Sequence, residues 1–182
     1  MIVSLVDTYR REWPCAFKPV RPWQSQFLRG HMQNIPYDDL VIGMEAEVSR
    51  LCRSDDLYVF ANASGNLNPM HLPKADGDGD GEPESIAPSM WVASLISGVL
   101  GCQLPGPGTL YHQQSLRFVG RAQAGDTLTV KVRLVAKGDN RRVRFDTWVE
   151  SSDGSRIVEG DAEVIAPERS IRFDATDVPG LM

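Results

Sequence analysis

Polar and apolar residues alternate over residues 45–52, 127–136 and 143–150, the period-two signature of half-buried strands. In the first stretch Ala46, Val48 and Leu51 are the apolar positions. In the second, Leu128, Val130, Val132 and Leu134 oppose Thr129, Lys131 and Arg133. In the third, Val143, Phe145, Thr147 and Val149 share one side. Residues 109–119 and Arg156–Ile165 add two more strands. Gly138-Asp139-Asn140 and Asp153-Gly154 supply turns, and Pro167 closes the last strand. Two helical patterns lie between the first strand and the rest. Leu57, Phe60 and Ala61 fall at i, i+3, i+4 and predict a short helix. Ser54-Asp55-Asp56 starts it, with the Ser54 hydroxyl expected to cap and the carboxylates at the positive helix end. Ser64-Gly65 ends it, and Pro69 prevents its continuation. Ser89–Cys102 is apolar on nearly all sides, which predicts a helix surrounded by protein.

A short helix, a buried helix and an antiparallel meander describe an α+β domain. The plain geometric solution is a single hot-dog domain, a curved antiparallel sheet wrapped around the buried central helix. It is expected over residues 37–167. Residues 1–36 form an N-terminal extension, a packed strap or tail, in which Pro14, Pro19 and Pro22 forbid a long helix among Trp13, Phe17, Trp23 and Phe27. Residues 168–182 form a C-terminal tail.

Composition narrows the classes. A chain of 182 residues suits one domain, and its 42% hydrophobic share excludes wholesale disorder. The net charge of −5 lacks a general basic footprint for nucleic acid and argues against anionic membrane surfaces. Cys15, Cys52 and Cys102 form no CxxC, which fits a reducing compartment and neither a disulfide scaffold nor a zinc site. No secretory signal is visible, and the most apolar window, 90–100, is too short to span a membrane. A cytoplasmic protein is expected. Asp76, Asp78 and Asp80 match the first half of a calcium loop, but Ala87 stands where the closing Glu belongs. Residues 73–87 therefore read as an acidic, solvated loop, and no metal is expected.

The chemistry enters with Phe60-Ala-Asn-Ala-Ser-Gly-Asn66-Leu-Asn68-Pro69-Met-His71, which resembles the hydratase motif of MaoC-like (R)-specific enoyl-CoA hydratases and dehydratases. Two further stretches follow in the family's order. One runs from Met90-Trp-Val-Ala-Ser-Leu-Ile-Ser97-Gly to Gln103-Leu-Pro-Gly-Pro-Gly-Thr-Leu-Tyr111. The other is Gln114-Ser-Leu-Arg-Phe118 with Gly125-Asp126-Thr127. Together they cover roughly residues 37–167. The resemblance implies an acyl-CoA substrate, hydration of trans-2-enoyl-CoA to (R)-3-hydroxyacyl-CoA or its reversal, and no metal or redox cofactor, because the thioester is itself the electron sink. It also implies a homodimer whose sheets pair edge to edge.

Such hydration needs a base for water, an acid for the α-carbon and hydrogen-bond donors for the thioester oxygen. The resemblance assigns catalysis to His71, Asn66 and Ser97. It assigns substrate binding to the Ser89 backbone N–H, where the helix dipole favours negative charge, and to Asn68, Leu100 and His112. His112 stands where the family usually has an apolar residue. Asn66 replaces the family's Asp, and an amide cannot take a proton from water at neutral pH. His71 would then act alone as base and acid, with Asn66 positioning the water. A weakly active or non-catalytic thioester-binding protein is the alternative, and a dehydratase for carrier-protein thioesters a third reading. The basic hairpin Lys137, Arg141, Arg142 and Arg144 is a solvated turn or a contact for coenzyme A phosphates.

Overall fold

The computed structural model describes residues 32–72 and 86–173. Seven strands are present among them: β1 (Met32–Gln33), β2 (Glu45–Leu51), β3 (Leu110–Phe118), β4 (Thr127–Lys137), β5 (Arg142–Glu150), β6 (Arg156–Ile165) and β7 (Arg172–Phe173). Two α-helices, α1 (Ser54–Ser64) and α2 (Ser89–Cys102), lie between β2 and β3. Five strands form one antiparallel sheet in the order β2-β4-β5-β6-β3. The period-two patterns decide which side is wet. Leu128, Val130, Val132 and Leu134 of β4 meet Val143, Phe145 and Val149 of β5 in the core. Helix α2 lies chiefly over β4 and β5 and adds Trp91, Val92, Ile96, Val99 and Leu100. Each such side chain stabilises the fold by about 1.5–3 kcal/mol through removal from water. This is the sheet-around-helix arrangement the alternation implies.

Three local expectations are corrected. Ser54 is the first helical residue rather than the cap. Arg53 holds the cap position, and its carbonyl accepts from Asp56 N (3.0 Å) and Leu57 N (3.3 Å). In β2, the inward row is Ala46, Val48 and Arg50, while Leu51 is 38% exposed. Strict alternation puts position 50, not 51, on the inner face, and a guanidinium is tolerated there because Asp56 pairs with it at 3.0 Å. Among the described residues, helix α2 is enclosed on one side only, since Met90, Ser94, Ser97 and Gly98 are exposed.

The flanks of the domain meet each other. Met32 pairs with Phe173 and Gln33 with Arg172. Buried Asn34 donates through its side-chain amide to Arg169 O (2.9 Å) and accepts from Ile171 N (2.7 Å). Residues 1–31, the acidic stretch 73–85 and residues 174–182 lie outside the described residues, and with them the expectations for the N-terminal aromatics and the half calcium loop.

Candidate active site

Helix α1 stops at Gly65, whose φ of +72° is the left-handed conformation glycine adopts without strain. A series of local bonds then folds the following residues into a compact turn. Ser64 Oγ donates to Phe60 O (2.7 Å) and accepts from Asn66 N (3.2 Å). Asn66 Oδ1 accepts from Asn68 N (3.3 Å), and Asn68 O accepts from His71 N (2.9 Å). Pro69–His71 is a single 3-10 turn, with Pro69 at a helical start where its missing N–H costs nothing.

His71 is half-buried, and its Nδ1 lies 2.8 Å from the carbonyl oxygen of Ile86. A carbonyl only accepts, so Nδ1 carries a proton, and in the neutral ring the lone pair is then on Nε2. The Ile86 carbonyl is itself fixed: Ile86 bridges Gln123, and Ala87 N donates to Ala122 O (2.8 Å). Three residues beyond Ile86 stands Ser89, the first residue of α2, with Pro88 at the cap position. Pro88 O accepts from Trp91 N and Val92 N, which leaves the Ser89 and Met90 amides at the open, positive end of the helix. A chain segment of three residues spans at most about 10 Å, which bounds the distance from the histidine's anchor to the free helix amides. Backbone contacts thus tie the His71 ring to the segment that leads into α2.

The other expected residues are distributed unevenly. Asn66 and Asn68 are exposed and belong to the turn that carries His71. Ser97 is exposed on α2, about 12 Å along the helix from Ser89. Leu100 is fully buried in the core. His112 occupies a bulge in β3, and its Nδ1 meets Glu163 at 3.0 Å, beside Arg142 at 2.9 Å from the same carboxylate oxygen. The basic hairpin is largely tied to the body. Lys137 donates to Tyr37 O (2.7 Å) and Leu40 O (2.8 Å), and Arg141 donates to Ala166 O (3.1 Å). Burial, with Asp126 and Asp56 nearby, pushes the Cys52 thiol up to about 12, which removes it as a nucleophile at neutral pH. Two features had no sequence signal. The Ile86 carbonyl is a backbone group like any other. Arg50, with Trp91 at 6.0 Å, borders an apolar cavity of about 210 Å³ between β2, β4 and α2 that includes Val48, Leu95, Gly98 and Val130.

A family model described as a MaoC like domain matches residues 41–154, and the chain belongs to that family. The (R)-specific enoyl-CoA hydratase of Rhodospirillum rubrum is 34% identical over 134 residues, 73% of this chain and 92% of its own. The 3-hydroxybutyryl-CoA dehydratase of Methylorubrum extorquens is 32% identical over 134 residues, with 73% of this chain and 85% of its own covered. Among solved structures, an unliganded R-hydratase from Pseudomonas aeruginosa superposes with a TM-score of 0.77 at 38% identity, covering 82% of this chain and 97% of that one. The hot-dog architecture and the family are therefore those the three motifs imply.

Proposed function

We propose that this chain adds water across the double bond of a trans-2-enoyl thioester of coenzyme A, giving the (R)-3-hydroxyacyl thioester, and catalyses the reverse elimination. The observation that carries the reading is the bond between His71 Nδ1 and Ile86 O, which leaves Nε2 as the base, anchored three residues before the amides that open α2. Nε2 takes a proton as water attacks the β-carbon. The Ser89 N–H receives the thioester oxygen as enolate charge grows on it, and the imidazolium returns its proton to the α-carbon. Asn66 orients the water through its amide, whose Oδ1 is itself steadied by Asn68 N. The thioester takes up the electron pair, so the step calls for no metal or redox group. The names of the relatives support the substrate class and the (R) configuration.

The functional unit in this reading is a homodimer. Strand β3 is an edge strand, and Leu110, Tyr111, Phe118 and Val119 on and beside it are exposed, as is Met90 at the start of α2. Two β3 edges pairing would extend the sheet and bring protein over the open face of α2. The test of the activity is loss of the enoyl-thioester absorbance of crotonyl-CoA with purified protein, with product configuration resolved by chiral chromatography. His71→Ala is expected to lower kcat by at least about 10²-fold. An unchanged rate in that variant would refute the assignment.

A further inference from the structure

Coenzyme A carries several phosphate charges, and this chain has a net charge of −5, so a thioester of that kind needs cations close to the site. Most guanidinium and ammonium groups in the described residues already have partners. Arg50 faces Asp56, Arg117 faces Glu159, Lys131 and Arg156 face Glu150, Arg133 faces Glu45, and Arg142 faces Glu163. Lys137 and Arg141 donate to backbone carbonyls. Arg53, Arg121, Arg144, Arg169 and Arg172 have no side-chain partner among the described residues. Of these, Arg144 points outward from β5 next to inward Val143 and Phe145, and Arg169 and Arg172 belong to the segment paired with β1.

Arg53 and Arg121 are placed differently. The connection from β3 to β4 is fastened at both ends. Near its start, Ala122 O accepts from Ala87 N and Gln123 bridges Ile86, which sets Arg121 abreast of Pro88 at the opening of α2. Ala122 is buried, so Arg121 and Gln123 on either side of it are exposed. Near its end, Cys52 N donates to Asp126 O and Gly125 N to Cys52 O, both at 2.8 Å, which sets Arg53 beside Gly125 at the opening of α1. Among the described residues, Asp126 Oδ2 accepts from Gln123 N (2.7 Å) and Asp56 pairs with Arg50, leaving Asp55 on the first turn of α1. The same backbone pairing that anchors His71 through Ile86 thus carries a free guanidinium, with a second one a few residues away.

We propose that Arg121 and Arg53 form a phosphate-binding rim that takes the pyrophosphate and ribose phosphate of a coenzyme A thioester whose acyl end lies at His71. This rests on the reading of the site as an acyl-thioester site. Two separated guanidiniums suit several phosphate groups on one small molecule better than the single phosphodiester of a carrier-protein arm.

The test uses crotonyl-CoA beside crotonyl-pantetheine, which has the same reacting end and no phosphate. Arg121→Ala and Arg53→Ala are each expected to raise KM for crotonyl-CoA by about 10-fold, with kcat within twofold and crotonyl-pantetheine kinetics unchanged. Arg121→Lys should recover part of the loss. Raised salt should weaken crotonyl-CoA binding in the wild type more than in the double variant. Unchanged KM for crotonyl-CoA, or equal losses with both substrates, overturns the rim. Free coenzyme A binding, measured by calorimetry, tests it apart from turnover. If wild type turns over neither substrate but binds coenzyme A more tightly than the variants, the rim stands and the hydratase reading fails. If wild type and variants bind alike, or wild type does not bind, the rim fails. Carrier-protein substrate preferred over crotonyl-CoA, and unaffected by either substitution, also overturns it.

Discussion

A neutral imidazole accepts a proton only through the nitrogen that lacks one, and in His71 the Ile86 carbonyl decides which nitrogen that is. The neighbouring Asn66 is fixed by its own turn yet can only donate to water or accept from it. A second base at this position is therefore missing, and Asn66→Asp should supply it, raising kcat for crotonyl-CoA by about 10²-fold. Steady-state rates of the two proteins compare directly, and a slower Asp variant would show that the amide itself is required. His71, Asn66 and Ser89 were singled out by the resemblance of their motifs to the family's, and the structure puts His71 and Asn66 on one turn and Ser89 at the start of α2. Ile86 was not legible, because what matters there is a carbonyl placed by pairing with Gln123 and Ala122, residues more than 30 positions away.

Among the elements, the strands were legible because one wet and one dry face force alternation, and β4 and β5 obey it almost residue by residue. Strand β2 misled at one step. An apolar Leu51 next to a charged Arg50 inverts the parity, and only the pairing with Asp56 and Trp91 explains why the charge points inward. Close approach between strands was equally invisible. A Cβ on Gly160 would overlap the Ser115 carbonyl where β6 crosses β3, and the contact is backbone, which cannot swing away. Gly160→Ala should cost about 2–4 kcal/mol, read as a lower urea midpoint with an unchanged slope. An unchanged midpoint would mean that β3 shifts freely, and with it the edge offered to a second copy.

For the molecule as a whole, the sequence suggested a helix surrounded by protein, and the described residues of one copy enclose only its sheet-facing side. Met90 is 58% exposed and Leu110 62% exposed, on the open face of α2 and at the free edge of the sheet. Surfaces of this kind are costly to leave in water, which is the ground for the proposed dimer. The proposed dimer should be seen by light scattering at twice the 20.1 kDa chain mass, and Leu110→Asp should shift it toward the monomer with loss of activity. A monomeric wild type with full activity would remove the dimer from the mechanism.

The short ribbon of β1 and β7 settles one more matter, that of connectivity. Met32 and Phe173 are cross-strand partners, about 5 Å apart at their Cα atoms, with Asn34 clasping the strand just before them. The polypeptide of the domain is in effect a closed loop with one seam. A handful of glycines joining residue 173 to residue 32, with new ends opened in the exposed Asp153-Gly154 turn, should give a circular permutant that keeps the same sheet order and the same histidine anchor. The order in which the ribosome makes these strands is thus separable from the arrangement they reach.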